Sequence, residues 1–140
     1  MIDPARGIPE VAWDETLARY VLQRSHIRKA TNSVKPDAFV PHPHRELSVT
    51  RHLRTTVEEI WSIGGEVASS TGKNLYGRAD LAAAECLRQK LGIRADPLPS
   101  NPNHANVNGW PADKSAQKAI AQELAAAATF VPRACGISVL

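Results

Sequence analysis

The sequence predicts an α+β domain in which a small mixed or antiparallel sheet is covered on one face by about three helices. Segments with strand alternation and segments with helical spacing are interleaved along the chain, but not regularly enough for a doubly wound parallel sheet. The connections contain too many Pro, Asn and Gly residues for a helical bundle. A chain of 140 residues, 43% of them hydrophobic, can bury one core. We therefore predict an arm over 1–13, a single domain over 14–130 and a tail over 131–140.

The first element after the arm has two possible readings. Trp13, Leu17 and Tyr20 follow helical spacing, and Asp14 could serve as the N-cap, so a helix of two to three turns is predicted. The run Tyr-Val-Leu at 20–22 is also typical of a strand, which makes a short strand the alternative.

A strand followed by a helix is predicted next. Residues 30–45 contain Pro at three positions and are predicted as loop, because proline removes a backbone donor. Residues 46–52 alternate Leu, Val and Arg with Ser, Thr and His, as a strand does. Thr55 and Thr56 then precede two glutamates and an apolar stripe, which predicts a helix that the run Ser-Ser-Thr-Gly at 69–72 ends.

Two further helices are predicted in the second half of the chain. Residues 74–81 indicate a strand leading into a helix over 82–91, which Gly92 would end in the C′ position. Short strands are expected at 93–95 and 104–110, since the residues between them are turn formers. Asp113 is expected to cap an Ala-rich helix that runs to about Thr129.

The composition predicts a cytoplasmic protein without a membrane partner. No run approaches the roughly 20 apolar residues that cross a bilayer. The amino terminus lacks the basic and apolar regions of a secretory signal. Cys86 and Cys135 form no CxxC pair, so both are expected to be reduced thiols that act as small apolar fillers.

Positive charge is concentrated in one part of the chain. Residues 19–54 carry eight Arg and Lys residues against two acids, whereas the net charge of the whole chain is +3. If folding brings these side chains onto one face, that face attracts anions, and guanidinium groups bind phosphate or carboxylate in a fork. An acidic protein or a nucleic acid is therefore the expected partner. The predicted anion-binding residues are Arg24, Arg28, Arg45, Arg51 and Arg54.

Three histidines are candidates for catalysis. His26, His52 and His104, with nearby Arg and Asn side chains, could form the pocket of a small enzyme, with or without a metal ion, if they converge. The sequence contains no GxSxG elbow and no Gly-rich phosphate loop, which argues against a serine hydrolase of that type and against a P-loop. No cofactor is predicted.

The segment around residue 104 is a candidate pocket. It is dense in turn formers and in Asn side chains, which offer amide donors and acceptors to a ligand. The same amides could instead hold a buried loop whose backbone groups need partners. The predicted pocket residues are Asn103, His104, Asn106 and Trp110.

The pair His42 and His44 is a weak candidate for a metal site. In a strand, residues i and i+2 point the same way and can bind one metal ion. The neighbouring Pro41 and Pro43 favour polyproline geometry, which turns the two rings to different sides. No metal site is therefore predicted.

Several short motifs resemble those of an uncharacterised family of small bacterial proteins. They are Ala-Phe-x-Pro at 38–41, Leu-Ser-Val-x-Arg at 47–51 and His-Ala-Asn-x-x-Gly-Trp-Pro at 104–111, with Ile-Trp-x-Ile-Gly at 60–64 and Gly-Arg-Ala-Asp at 77–80. The resemblance covers about residues 17–130 and implies a free-standing bacterial domain. It implies no activity, cofactor or catalytic residue.

The sequence thus favours a non-catalytic binding or accessory domain that holds an anionic partner through the basic segment 19–54. The alternative is the small enzyme with a pocket of His, Arg and Asn side chains.

Overall fold

The computed structural model describes residues 9–41 and 45–133. Within them, an antiparallel sheet of six strands and three α-helices form an α+β fold, which confirms the predicted class. The strands are β1 (Thr16–Val21), β2 (Ile27–Arg28), β3 (Ser33–Val34), β4 (Leu47–Arg51), β5 (Gly77–Ala82), β6 (Gly92–Ala95), β7 (His104–Asn108) and β8 (Thr129–Pro132). The α-helices are α1 (Val57–Ser70), α2 (Ala83–Arg88) and α3 (Lys114–Ala127), and short 3-10 helices cover Arg24–His26 and Pro36–Phe39.

The main sheet has the strand order β6-β7-β4-β1-β5-β8, and β2 and β3 pair separately as a small hairpin. Leu17 lies opposite Leu81, and Leu47 lies opposite Val107. Because successive side chains of a strand point to opposite faces, this register collects the apolar residues of four strands on one face.

The main core lies between that face and the helices α2 and α3. Phe39, on the second 3-10 helix, is fully buried in the same core, and this 3-10 helix packs against α3. Other core side chains include Leu17, Val21, Leu47, Val107, Ala121 and Leu124.

Helix α1 lies on the opposite face of the sheet. The Tyr20 hydroxyl donates a 2.6 Å hydrogen bond to the carbonyl oxygen of Ile60, and the Arg78 guanidinium carbon lies 4.7 Å from the centre of the Trp61 ring. A Cβ atom on Gly64 would come within 2.6 Å of the Tyr20 ring, so glycine permits this close packing. The helices are therefore divided between the two faces, which differs from the one-sided arrangement expected.

The first element is the strand β1, so the predicted helix is wrong and the alternative strand is confirmed. All six residues of β1 pair with β5. Both faces of β1 are covered, so apolar side chains occur on each face. The positions of these apolar residues in the sequence therefore also fit the spacing of a helix.

The helix starts of α1 and α3 agree with prediction. Thr56 forms a capping box with Glu59, and the Asp113 carboxylate accepts a 2.9 Å hydrogen bond from the backbone N–H of Ala116. These side chains satisfy N–H groups that the first helical turn leaves without partners.

The predicted role of Gly92 is wrong. Helix α2 ends at Arg88, and Lys90 takes the positive φ of 63° that the turn requires. Gly92 begins β6, where a Cβ atom would lie 2.6 Å from the Asn108 side-chain oxygen. Its small size therefore allows close strand contact and does not end the helix.

The carboxy-terminal part of the described chain contains an unpredicted strand. β8 pairs with β5, with Phe130 opposite Ala79, so the sheet extends into the first two residues of the predicted tail. None of the described helices is long and apolar enough to span a membrane.

Candidate anion-binding site

The site begins where β1 and β4 stop pairing. The two strands are paired at Leu17 with Arg51 and at Ala18 with Thr50, and no further pair follows along their described lengths. The Arg19 side chain lies across the opening, where its Nε donates to the Ala38 carbonyl at 2.8 Å and its NH1 donates to the Ser48 carbonyl at 3.0 Å. The Arg19 guanidinium thus links the 3-10 helix that contains Ala38 to the strand β4, which contains Ser48.

A cavity of about 410 Å³ opens beside this bridge. Its volume falls in the range of small-molecule sites in proteins. It is lined by residues of β1, β4, β7, the two 3-10 helices, α1 and α3, and by residues of the neighbouring loops. The lining residues are Arg19, Tyr20, Leu22, Gln23, His26, Asp37, Val40, Pro41, Ser48, Val49, Thr50, Val67, Lys73, Asn101, His104 and Lys118.

The charges on the cavity wall are mainly positive. Arg19, Lys73 and Lys118 are opposed by a single lining carboxylate, that of Asp37. Burial lowers the pKa of Arg19 to about 10, so its guanidinium remains charged at neutral pH. Its hydrogen bonds within the described residues go to carbonyl oxygens and not to a carboxylate. An anion that entered the cavity would therefore meet a positive charge to which none of the described carboxylates is hydrogen-bonded.

The part of the wall formed by β4 and β7 carries uncharged polar groups. The Asn101 amide donates to the Thr50 hydroxyl at 2.9 Å, which fixes both side chains. His104 Nδ1 lies 3.0 Å from the Asp96 carbonyl oxygen. Since a carbonyl only accepts, Nδ1 carries a proton, and it also lies 3.3 Å from the Asp96 carboxylate, so Nε2 is the ring nitrogen left for a ligand. The exposed Ser48 hydroxyl adds a second hydrogen-bonding group.

Two of the three candidate catalytic histidines line this cavity. His26 and His104 both contribute to its wall, whereas His52 is not among the lining residues. His52 Nε2 lies 3.2 Å from a carboxylate oxygen of Asp80, which also accepts a hydrogen bond from Arg78. The three histidines therefore do not all meet at this cavity, and the condition for an enzyme that uses all three is not met, because the Asp80 carboxylate holds His52 beside Arg78.

Burial and nearby cations both lower the pKa of His26. Burial has the largest effect, Asp37 opposes it in part, and Arg19, Lys73 and Lys35 lower the pKa further, so the net pKa is below the ordinary histidine value. The His26 imidazole is accordingly neutral at pH 7. It can accept a hydrogen bond or a proton from a bound molecule.

Arg51 is not available to an external anion, which corrects its predicted role. Its side chain is 1% exposed, and its guanidinium binds both carboxylate oxygens of Glu15, at 2.8 and 2.6 Å. It also donates to the carbonyls of Pro9 and Glu10 at 2.9 and 3.3 Å. Arg51 therefore fastens the segment before β1 to the sheet.

The pairing of Glu15 predicts a stability loss in acid. Burial alone would raise the pKa of Glu15, but the hydrogen bonds from Arg51 and from the Ala12 backbone N–H, together with the charge of Arg51, outweigh it and hold the pKa below the ordinary value of 4.5. A carboxyl whose folded pKa is lowered stabilises the fold above its unfolded pKa and loses that contribution as pH falls through the folded pKa. We expect urea unfolding midpoints to fall below about pH 4.5, and to fall less steeply in Glu15→Gln. Equal slopes in both proteins would contradict this assignment.

The remaining predicted arginines do not form one surface. Arg24, Arg28, Arg45 and Arg54 are exposed. Arg45 precedes β4 and Arg54 follows it, so the five-residue strand, about 16 Å long at ~3.3 Å per residue, lies between them. Because β1 and β4 are antiparallel, Arg24 and Arg28 lie at the same end of the sheet as Arg45. Arg54 lies at the other end.

Three of the four predicted pocket residues serve the fold. Asn103 donates to the carbonyls of Arg51 and Leu53, at 3.0 and 2.8 Å. Asn106 donates to the Asp96 carboxylate at 3.1 Å, and the buried Trp110 donates to the Val107 carbonyl at 3.0 Å. Only His104 of the four lines the cavity.

The predicted anion-binding residues do not include Arg19, although it belongs to the basic segment. Its one signal in the sequence is a cation inside an otherwise apolar strand. The histidines His42 and His44 lie outside the described residues. Within 9–41 and 45–133, no group of three or more His, Cys, Asp or Glu side chains is placed to hold a metal ion.

Comparison of the chain with family models, curated proteins and solved structures gives no match. The resemblance to a bacterial family therefore stays a prediction, and the geometry of the cavity is what bears on function.

Proposed function

We propose that this chain is a non-catalytic binding domain that holds an anionic ligand in the cavity beside Arg19. One observation carries the proposal. The Arg19 guanidinium is positively charged and half-buried, and among the described residues its hydrogen bonds go to two carbonyl groups and to no carboxylate. A partly desolvated charge of this kind is stabilised when an opposite charge approaches it. A bound carboxylate or phosphate supplies that charge.

The surroundings of the cavity support an anion's approach. A second cavity of about 520 Å³ shares Val40, Pro41 and Lys118 with the first and adds Arg45 and Lys114 to its lining. Positive side chains thus continue from Arg19 to the end of the sheet at which Arg45 lies. Such a distribution raises the local concentration of anions and speeds their association.

The positions of the arginines favour a different kind of partner from the acidic protein or nucleic acid that the sequence suggested. An acidic protein or a nucleic acid would bind a broad basic face, but Arg51 is paired internally and Arg54 lies at the far end of β4. Of the positive groups that remain, Arg19, Arg45, Lys73, Lys114 and Lys118 line the two cavities. A ligand that enters the cavity therefore fits better than one that lies across the surface.

The test is calorimetric titration with inorganic phosphate and with citrate at low and high salt. We expect binding that weakens as salt rises, and at least a tenfold loss of affinity in Arg19→Met. The control is Arg88→Met, which removes an exposed cation from α2 and should leave affinity unchanged. Since Arg19→Met also leaves two carbonyls without donors, the exposed Lys118→Met serves as a second variant. Wild-type affinity in both Arg19→Met and Lys118→Met would refute the proposal.

A second candidate function is that of a small enzyme, because His26, His104 and Arg19 line the same cavity. A neutral His26 could act as a general base. Incubating any ligand that binds and following it by proton NMR separates the two functions. Chemical change that disappears in His26→Gln would identify an enzyme, and an unaltered ligand would favour the binding domain.

A further inference from the structure

We infer that the ligand is a small organic anion that carries hydroxyl groups at the end away from its charge. The inference rests on the proposed anion binding beside Arg19 and adds the class of ligand. It follows from the positions of two of the cavity's cations, Arg19 and Lys118, relative to the hydrogen-bonding groups that β4 and β7 contribute to the wall.

The cationic part lies on the α3 side of the opening between β1 and β4. Arg19 contacts the Ser48 carbonyl, which places its guanidinium beside the exposed residue of β4. Lys118, on α3, lines both cavities. The negatively charged group of the ligand is therefore expected between Arg19 and Lys118.

The hydrogen-bonding part lies on the face of β4 that carries the Ser48 and Thr50 side chains, whereas Arg19 contacts only the backbone carbonyl of Ser48. Thr50 follows Ser48 on the same face of the strand, about 7 Å away at ~3.3 Å per residue. His104 pairs with Thr50 across the β4–β7 ladder. A ligand that reaches from Arg19 to His104 must therefore extend over several atoms beyond its charged group.

The groups at this second part match hydroxyls better than a second charge. His104 Nε2 accepts a hydrogen bond when the ring is neutral, and the Ser48 hydroxyl can donate or accept. A hydroxyl satisfies both requirements because it donates and accepts at once. Apolar wall residues such as Val40, Val49 and Val67 lie against the carbon skeleton.

The size of the cavity favours a small ligand over a polymer. A volume of about 410 Å³ holds a molecule of metabolite size. The charged end could be a phosphate, as in a sugar phosphate, or a carboxylate, as in a sugar acid. Both have the same chemistry at the hydroxylated end, so the titration compares them directly.

The experiment is calorimetric titration of the full chain with four probes at one ionic strength. Ribose 5-phosphate is compared with inorganic phosphate, and gluconate is compared with acetate. We expect at least one hydroxylated anion to bind tenfold or more tightly than its simple counterpart. The pair that gives the larger ratio identifies the charged group as phosphate or carboxylate.

Two variants locate the hydroxylated end. Ser48→Ala and His104→Phe should each weaken binding of the better hydroxylated probe by about 3–10-fold, the range expected for one hydrogen bond, and leave its simple counterpart unchanged. Ser62→Ala, an exposed serine on α1, is the matched control. Thermal melting of each variant separates loss of contact from loss of fold, since His104 also bonds to Asp96.

The outcomes distinguish the two proposals. Equal affinity for hydroxylated and simple anions, with loss in Arg19→Met, would overturn this inference and leave anion binding in place. Tighter binding of a single-stranded oligonucleotide or a glutamate-rich peptide than of every small probe would also overturn it. Absence of any anion binding would overturn both.

Discussion

Replacing Arg51 with methionine is expected to lower the free energy of unfolding by about 3–5 kcal/mol, the usual cost of removing one partner from a buried ion pair. The Arg51 side chain is 1% exposed, and its partner Glu15 is 12% exposed. Methionine has a similar length but no charge, so Glu15 would keep a carboxylate in a site without its cation. The carbonyls of Pro9 and Glu10 would also lose a donor.

Urea or guanidinium unfolding of the wild type and of Arg51→Met measures this loss. Arg54→Met is the matched control, because Arg54 is exposed and three residues away in sequence, and a change within about 0.5 kcal/mol is expected for it. Glu15→Met combined with Arg51→Met should recover part of the stability, since neither charge then remains buried. A loss below 1 kcal/mol in Arg51→Met would show that the pair contributes little.

Replacing Phe39 with alanine is expected to cost about 3–5 kcal/mol of unfolding free energy, because a fully buried aromatic side chain leaves a cavity. Phe39 lies on the 3-10 helix that packs against α3. The preceding residue, Ala38, provides the carbonyl that receives the Arg19 Nε hydrogen bond. Loosening this helix should therefore weaken phosphate or citrate binding as well as stability.

Denaturant unfolding and calorimetric titration of the same samples test both parts. Phe39→Leu should cost clearly less than Phe39→Ala, since leucine fills more of the space. Leu87→Ala, on the exposed side of α2, should change neither property appreciably. A stable Phe39→Ala variant with unchanged anion affinity would contradict the link between this core residue and the cavity.

The alternation of apolar and polar residues in the sequence predicted the strands whose two faces have different environments. In β4, the alternation of Leu47 and Val49 with Ser48 identified the strand, because Ser48 is exposed. In β1 the alternation is absent: Leu17 faces the main core, and Tyr20 faces α1. An apolar strand covered on both sides resembles a helix in its spacing, so only the pairing partner could decide.

The site depended on contacts between residues far apart in sequence. Arg51 and Glu15 are separated by 36 positions, and nothing near Arg51 shows that its charge is paired. Both arginines donate to backbone carbonyls, but Arg51 also binds a carboxylate, whereas the partners of Arg19 are the carbonyls of Ala38 and Ser48. Segment charge therefore predicted an anion-binding region, whereas the availability of each arginine required the folded chain.

The outer strands of the main sheet bear on how the protein behaves at high concentration. Among the described residues, β6 and β8 are the two edge strands of this sheet, and each is four residues long. Arg94 places an exposed charge on β6, and Pro132 gives the end of β8 a residue without an N–H group. Short edge strands that carry a charge or a proline are poor templates for the addition of strands from other molecules. Concentrated samples should therefore resist amyloid-like assembly for as long as the native sheet persists.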